Sequence, residues 1–192
     1  STMLAHLMNH TPDGCNAFLG GIAKNYGTNY ILSENSPWIV IEADEFDRSF
    51  HHLSPYITAI TSTDPDHLDI YGTKEAYLES FSHYTSLIQP GGSLVVHEGL
   101  EMKPRLQDGV NLYTYGRHTG DFHAEDIRIG GGEIHFDFIS PLGKNILFSS
   151  SVNFSDSAKS PLKSPVHRVR PCESQCRSFP WSLPENFRLQ LR

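Results

Sequence analysis

Two short apolar runs, Trp38-Ile39-Val40-Ile41 and Ile57-Thr58-Ala59-Ile60, each end abruptly in acids, and this limits what the chain can fold into. The first stops in Glu42, Asp44, Glu45 and Asp47, the second in Asp64, Asp66, His67 and Asp69. Runs rich in β-branched residues with no polar alternation are buried on both faces, as in strands of a parallel sheet covered by helices. An open parallel sheet binds ligands beyond the carboxyl ends of its strands. Two such ends side by side would therefore gather Glu42 and His67 into one crevice. Four carboxylates between positions 42 and 47 repel one another unless a cation sits among them. These residues point to a divalent-metal site at strand ends, with a solvated acidic turn as the alternative, and physical chemistry alone leaves both open.

The flanking sequence supports an α/β architecture. Between 73 and 89 Thr73 is a candidate N-cap, Glu75 falls in the first turn, and Tyr77, Phe81, Tyr84 and Ile88 share one face, with Pro90-Gly91-Gly92 as the stop. Strands are expected at Ser93–His97 and Asn111–Tyr115, with a short basic helix or loop around Lys103-Pro104-Arg105 between them. Upstream, Ser1–His10 has helical spacing, Gly20-Gly21 reads as a turn that breaks an apolar stretch, with a close approach of backbone to a ligand as the alternative, and Tyr30–Leu32 reads as a short strand. Downstream, Phe122–Ile129 and Glu133–Ile139 alternate around three glycines as an antiparallel hairpin, with a third strand near Asn145–Phe148. The expected fold is a mostly parallel sheet flanked by helices, with a small antiparallel hairpin sheet.

Charge divides the chain. Up to residue 154 there are 8 Lys/Arg against 19 Asp/Glu, and afterwards 7 against 3. Residues 1–148 read as one acidic domain and 149–192 as an atypical Ser/Pro/Arg-rich tail, expected to be non-native or disordered, whose repeated prolines prevent a core of its own. The basic charge there is too diluted with Pro and Ser for a nucleic-acid patch. Cys15, Cys172 and Cys176 make no disulfide framework, and the last two have no further ligands at zinc spacing. No apolar run approaches the ~18 residues of a membrane span, and no signal-peptide pattern opens the chain, so a cytoplasmic protein is expected.

Glu42-Ala43-Asp44-Glu45-Phe46-Asp47-Arg48-Ser49-Phe50, then Pro55, Thr61 and Asp66-His67-Leu68-Asp69-Ile70-Tyr71, closely resemble the central, ATP-binding domain of the Mur ligases, which is of the P-loop type. The likeness runs from Ser1 through Leu19-Gly20-Gly21-Ile22 to Tyr113-Thr114-Tyr115-Gly116 and the hairpin near residue 140. The alanine-adding branch fits best, and the muramyl-peptide recycling ligase is the neighbouring alternative. The resemblance implies an ADP-forming ligase acting on UDP-N-acetylmuramate, L-alanine and ATP, with Mg²⁺ bridging phosphate oxygens. By position it makes Glu42 and His67 metal ligands. An imidazole sits poorly on hard Mg²⁺, so Mn²⁺ is the other candidate.

The sequence departs from the family's pattern in several places. No G-x-x-x-x-G-K-[ST] phosphate loop occurs in the 192 residues. Ser62-Thr63 replaces the family's common Asn-Ile pair, and the helix after the second motif has Lys74 only at its start, where sister ligases place a carbamylated lysine further along. The expectation is a truncated domain that is inactive alone. A reading from another class is a non-catalytic module that binds metal or self-associates through sheet edges left open.

Overall fold

A computed structural model describes residues 1–130, 133–151 and 168–169, in two compact units that part between Thr114 and Tyr115. Cys172 and Cys176 and most of the 149–192 tail lie outside the described residues.

In the first unit, α1 (Thr2–Met8) is followed by β1 (Asn16–Ala23), β2 (Thr28–Ile31) and β3 (Ile39–Ile41). These strands form a sheet of order β2-β1-β3, in which β3 runs parallel to β1 with Phe18 opposite Ile41, and β2 runs antiparallel. Ala5 of α1 joins Cys15, Ala17, Leu19, Trp38 and Val40 in a core on one face of that sheet. Burial raises the pKa of the Cys15 thiol, which suits an inert core residue.

The expected turn at Gly20-Gly21 is not there, because both glycines lie inside β1. Pairing with β2 on either side of them, at Phe18 and at Ala23, carries the strand through, with a register irregularity between those two residues. Glycine in a strand also marks a backbone that another group approaches closely, and at Gly20 that group is the Glu42 side chain.

A second sheet has the order β4-β5-β6, built from β4 (Ile57–Ile60), β5 (Ser93–His97) and β6 (Asn111–Tyr115), with β4 parallel to β5. Its cover is α3 (Lys74–Thr85), which starts as expected: the Thr73 hydroxyl accepts the Ala76 N–H at 3.1 Å. Tyr77, Phe81 and Tyr84 are fully buried against Phe50, Ile60 and Leu94. Phe50 lies 4.8 Å from the Tyr84 ring and 5.4 Å from that of Phe81. Past Thr85 the backbone tightens into i to i−3 bonds from Ser86 and Leu87, which carry the chain to Ile88 and the turn. The segment around Lys103-Pro104-Arg105 is a loop, held by a bidentate Arg105–Glu79 pair and by the Arg105 N–H on Thr85 Oγ1.

The second unit is an antiparallel meander of β7 (His123–Gly130), β8 (Glu133–Ser140) and β9 (Gly143–Ser151), with β10 (Arg168–Val169) on β9. Lys144 of β9 bridges Asp137 at 2.9 Å and Glu125 at 3.1 Å.

Candidate functional site

The chemistry-bearing residues follow β3 and β4, each an edge strand of its sheet among the described residues. The Glu42 N–H still pairs with Phe18 O on β1 at 3.1 Å, so its side chain is placed by sheet register. The carboxylate folds back over β1, where Oε2 accepts the Gly20 N–H at 3.2 Å and the Ser1 hydroxyl. This carboxylate lines an open cleft of about 510 Å³ bounded by Ser1, residues 18–20 and residues 41–45. Ionised oxygens held by backbone and hydroxyl donors remain able to accept a hard cation on their other lone pairs.

Asp44 and Glu45 line the same cleft, and Asp44 and Asp47 also shape the loop. Asp44 Oδ1 accepts the Phe46 N–H and Asp47 Oδ1 the Ser49 N–H, both at 2.9 Å, so each closes a turn. The Ser49 bonds hold the Asp47 carboxyl below its usual pKa. Ser49–His52 then forms a 3-10 turn that seats Phe50 in the core and His51 against α3, where the Nε2–H of His51 meets Ser80 O at 3.0 Å.

His67 sits at the N-terminus of the short helix α2 (Leu68–Tyr71) with φ 52°, and Arg48 opens the 3-10 turn with φ 60°. Left-handed backbone at a non-glycine residue costs about 1–2 kcal/mol, so both positions need support from their surroundings. They share it. The Phe46 ring meets the His67 imidazole edge-on at 5.0 Å, the Tyr71 hydroxyl donates to Glu45 O at 2.5 Å, and the Arg48 guanidinium lies 4.7 Å over the Tyr71 ring. Asp66 Oδ1 accepts the His67 N–H at 2.7 Å.

The loop after β3 and the loop after β4 are thus clasped together, but the two expected metal ligands are placed differently. Glu42 lines the cleft and His67 is not among its lining residues. Among the described residues no three His, Cys, Asp or Glu side chains converge as a metal cage. Glu42 and His67 do fit a cation in donor chemistry, as a carboxylate held in place and an imidazole one-third exposed. Sequence reasoning missed the Gly20 contact and the Phe46, Arg48 and Tyr71 clasp. The glycine pair within an apolar stretch was the one available signal for the first.

Residues 2–154 match the family model of the Mur ligase middle domain. The chain belongs to the Mur ligase family. The UDP-N-acetylmuramate–L-alanine ligase of Phocaeicola vulgatus is 72% identical over 143 residues, 74% of this chain and 31% of that protein. The corresponding ligase of Parabacteroides distasonis is 61% identical over 142 residues, again 31% of its length. This Mur ligase chain therefore spans about a third of the relatives it matches. In fold it is similar to the crystal structure of UDP-N-acetylmuramate-alanine ligase from Thermotoga maritima, with a TM-score of 0.63 at 24% identity over 79% of this chain and 34% of that one. The acid-ended strands of the sequence are thus those of a Mur ligase middle domain.

Proposed function

We propose that this chain is the ATP-binding middle portion of an alanine-adding Mur ligase, which joins L-alanine to UDP-N-acetylmuramate with release of ADP and phosphate. The observation that carries the reading is the 72% identity to a ligase of that name over 143 residues, with both strand-end motifs inside the family match at residues 2–154. In this reaction the muramyl carboxylate takes the γ-phosphoryl group of ATP, and the amine of alanine attacks the resulting acyl phosphate. The tetrahedral intermediate then expels phosphate to leave the amide. Glu42 and His67 would hold Mg²⁺ or Mn²⁺, which when bound neutralises charge on the phosphate oxygens. The residues of this chain position and support. Gly20 and Ser1 orient the Glu42 carboxylate, and the Phe46, Arg48 and Tyr71 contacts keep the two loops in register.

Within the 192 residues there is no phosphate loop, so the backbone cradle and lysine that stabilise the transferring group are not supplied by this chain. The chain alone should show no alanine-dependent phosphate release with UDP-N-acetylmuramate, ATP and Mg²⁺. Clear turnover in that assay would refute the inactive-portion reading. No helix among the described residues is long and apolar enough to cross a membrane, and nucleotide-linked substrates suit a cytoplasmic location. The edges of β3 and β4, unpaired in their sheets among the described residues, favour self-association of the isolated chain, and sedimentation across a concentration series would reveal it.

A further inference from the structure

Gly20 lies in the middle of β1, where glycine weakens a strand and contributes no packing. Its φ is outside the left-handed region, so the backbone there would accept any residue. Space explains the glycine instead. A Cβ at position 20 would stand 2.6 Å from Glu42 Oε1 and 2.9 Å from its carboxyl carbon, closer than real Cβ contacts come. A Cβ at neighbouring Gly21 would meet nothing within 4 Å.

We propose that Gly20 is a positioning residue for Glu42: its missing side chain leaves the space in which the carboxylate lies, and its N–H holds one carboxylate oxygen in the cleft. Its consequence for metal binding rests on the reading of Glu42 as a ligand. The obstruction at position 20 is a movable carboxylate and not backbone, so an added methyl group displaces the ligand while β1 keeps its pairing with β3. Glu42 comes from the next strand in register, and Phe18 opposite Ile41 sets the carboxylate beside Gly20. Groups that orient a metal ligand in this way typically change affinity about 10- to 100-fold when lost.

The experiment uses the 192-residue chain and Mn²⁺ alone, with free ion followed by electron paramagnetic resonance, and a metal-free arm that reads the Glu42 side-chain carboxylate by carbon NMR. Glu42→Ala sets the floor of affinity. Gly20→Ala is expected to weaken Mn²⁺ binding about 10-fold or more, whereas Gly21→Ala leaves it unchanged. Adding Glu42→Asp to Gly20→Ala withdraws the carboxylate by one methylene and should recover part of the loss, although Glu42→Asp alone weakens binding. In the metal-free arm Gly20→Ala, but not Gly21→Ala, should move the Glu42 carboxylate resonance. An unmoved resonance would overturn the positioning role, as would a Gly20→Ala chain that loses its folded spectrum and does not regain it with Glu42→Asp. A moved resonance with unchanged Mn²⁺ affinity in Glu42→Ala would retain the positioning role and remove the metal-ligand reading.

Discussion

Asp44 and Asp47, after β3, each accept a backbone N–H two residues on, whereas after β4 Asp66 accepts from its neighbour His67 and Asp64 from the Ser62 hydroxyl. The two segments are nearly alike in acid content, yet they are built differently. In the first, bonded turns lead to Phe50, fully buried beneath α3, so the loop is anchored in the core at its far end. In the second, a left-handed His67 starts a four-residue helix that ends at the buried Tyr71, and the anchor is Tyr71 itself, bonded back to Glu45 of the first loop. An acid-rich sequence therefore does not count metal ligands. Which donors reach each carboxylate decides how it shapes the backbone, and Asp44 closes a turn while also lining the cleft.

Breaking the first anchor should have the largest effect. Phe50→Ala empties a site between Phe81 and Tyr84, and a loss of about 3–5 kcal/mol is expected in urea unfolding followed by circular dichroism. A loss below 1 kcal/mol would mean that the first loop is not held through the core.

Cutting the link between the loops should cost less. Tyr71→Phe keeps the ring under Arg48 and its packing on Tyr77 but removes the donor to Glu45 O, for about 1 kcal/mol. Amide exchange should quicken in both loops. Faster exchange after β4 alone would show that the first loop does not depend on the second.

Acid sensitivity should be the smallest effect, and it should trace to the first loop. Burial, followed by the charges of His83, Arg48 and His52, lowers the pKa of His51 despite the opposing bond to Ser80 O. A folded pKa below the unfolded value of 6.5 means that the unfolded chain takes up the proton first. Its contribution to stability is therefore present above pH 6.5 and is lost as pH falls through the folded value. His51→Gln should flatten the decline of unfolding free energy on the acid side of neutrality. An unchanged slope would assign the decline to the carboxylates, of which Asp47 has the matching sign.

The elements legible in the sequence were those with one dominant signal. Thr73 capping α3, the β-branched runs of β3 and β4, and the alternation of β7 and β8 all follow from local periodicity or a local cap. Gly20-Gly21 misled because glycine favours turns over a short window, whereas the group that lies against the bare backbone of Gly20, the Glu42 carboxylate, is 22 positions away. The same distance hid the clasp, since nothing near Phe46 in the chain announces an edge-on contact with His67.

By itself, the sequence determined the α/β class, the two strand ends where acids collect, and the family to which their motifs belong. These are properties of residue order and of spacing within a few positions. Only the tertiary structure decided that Glu42, Asp44 and Glu45 line a cleft and that Glu42 is held by β1, because the partners of Glu42 are set by strand register. Register brought the bare backbone of Gly20 beneath Glu42 and gave the carboxylate its place.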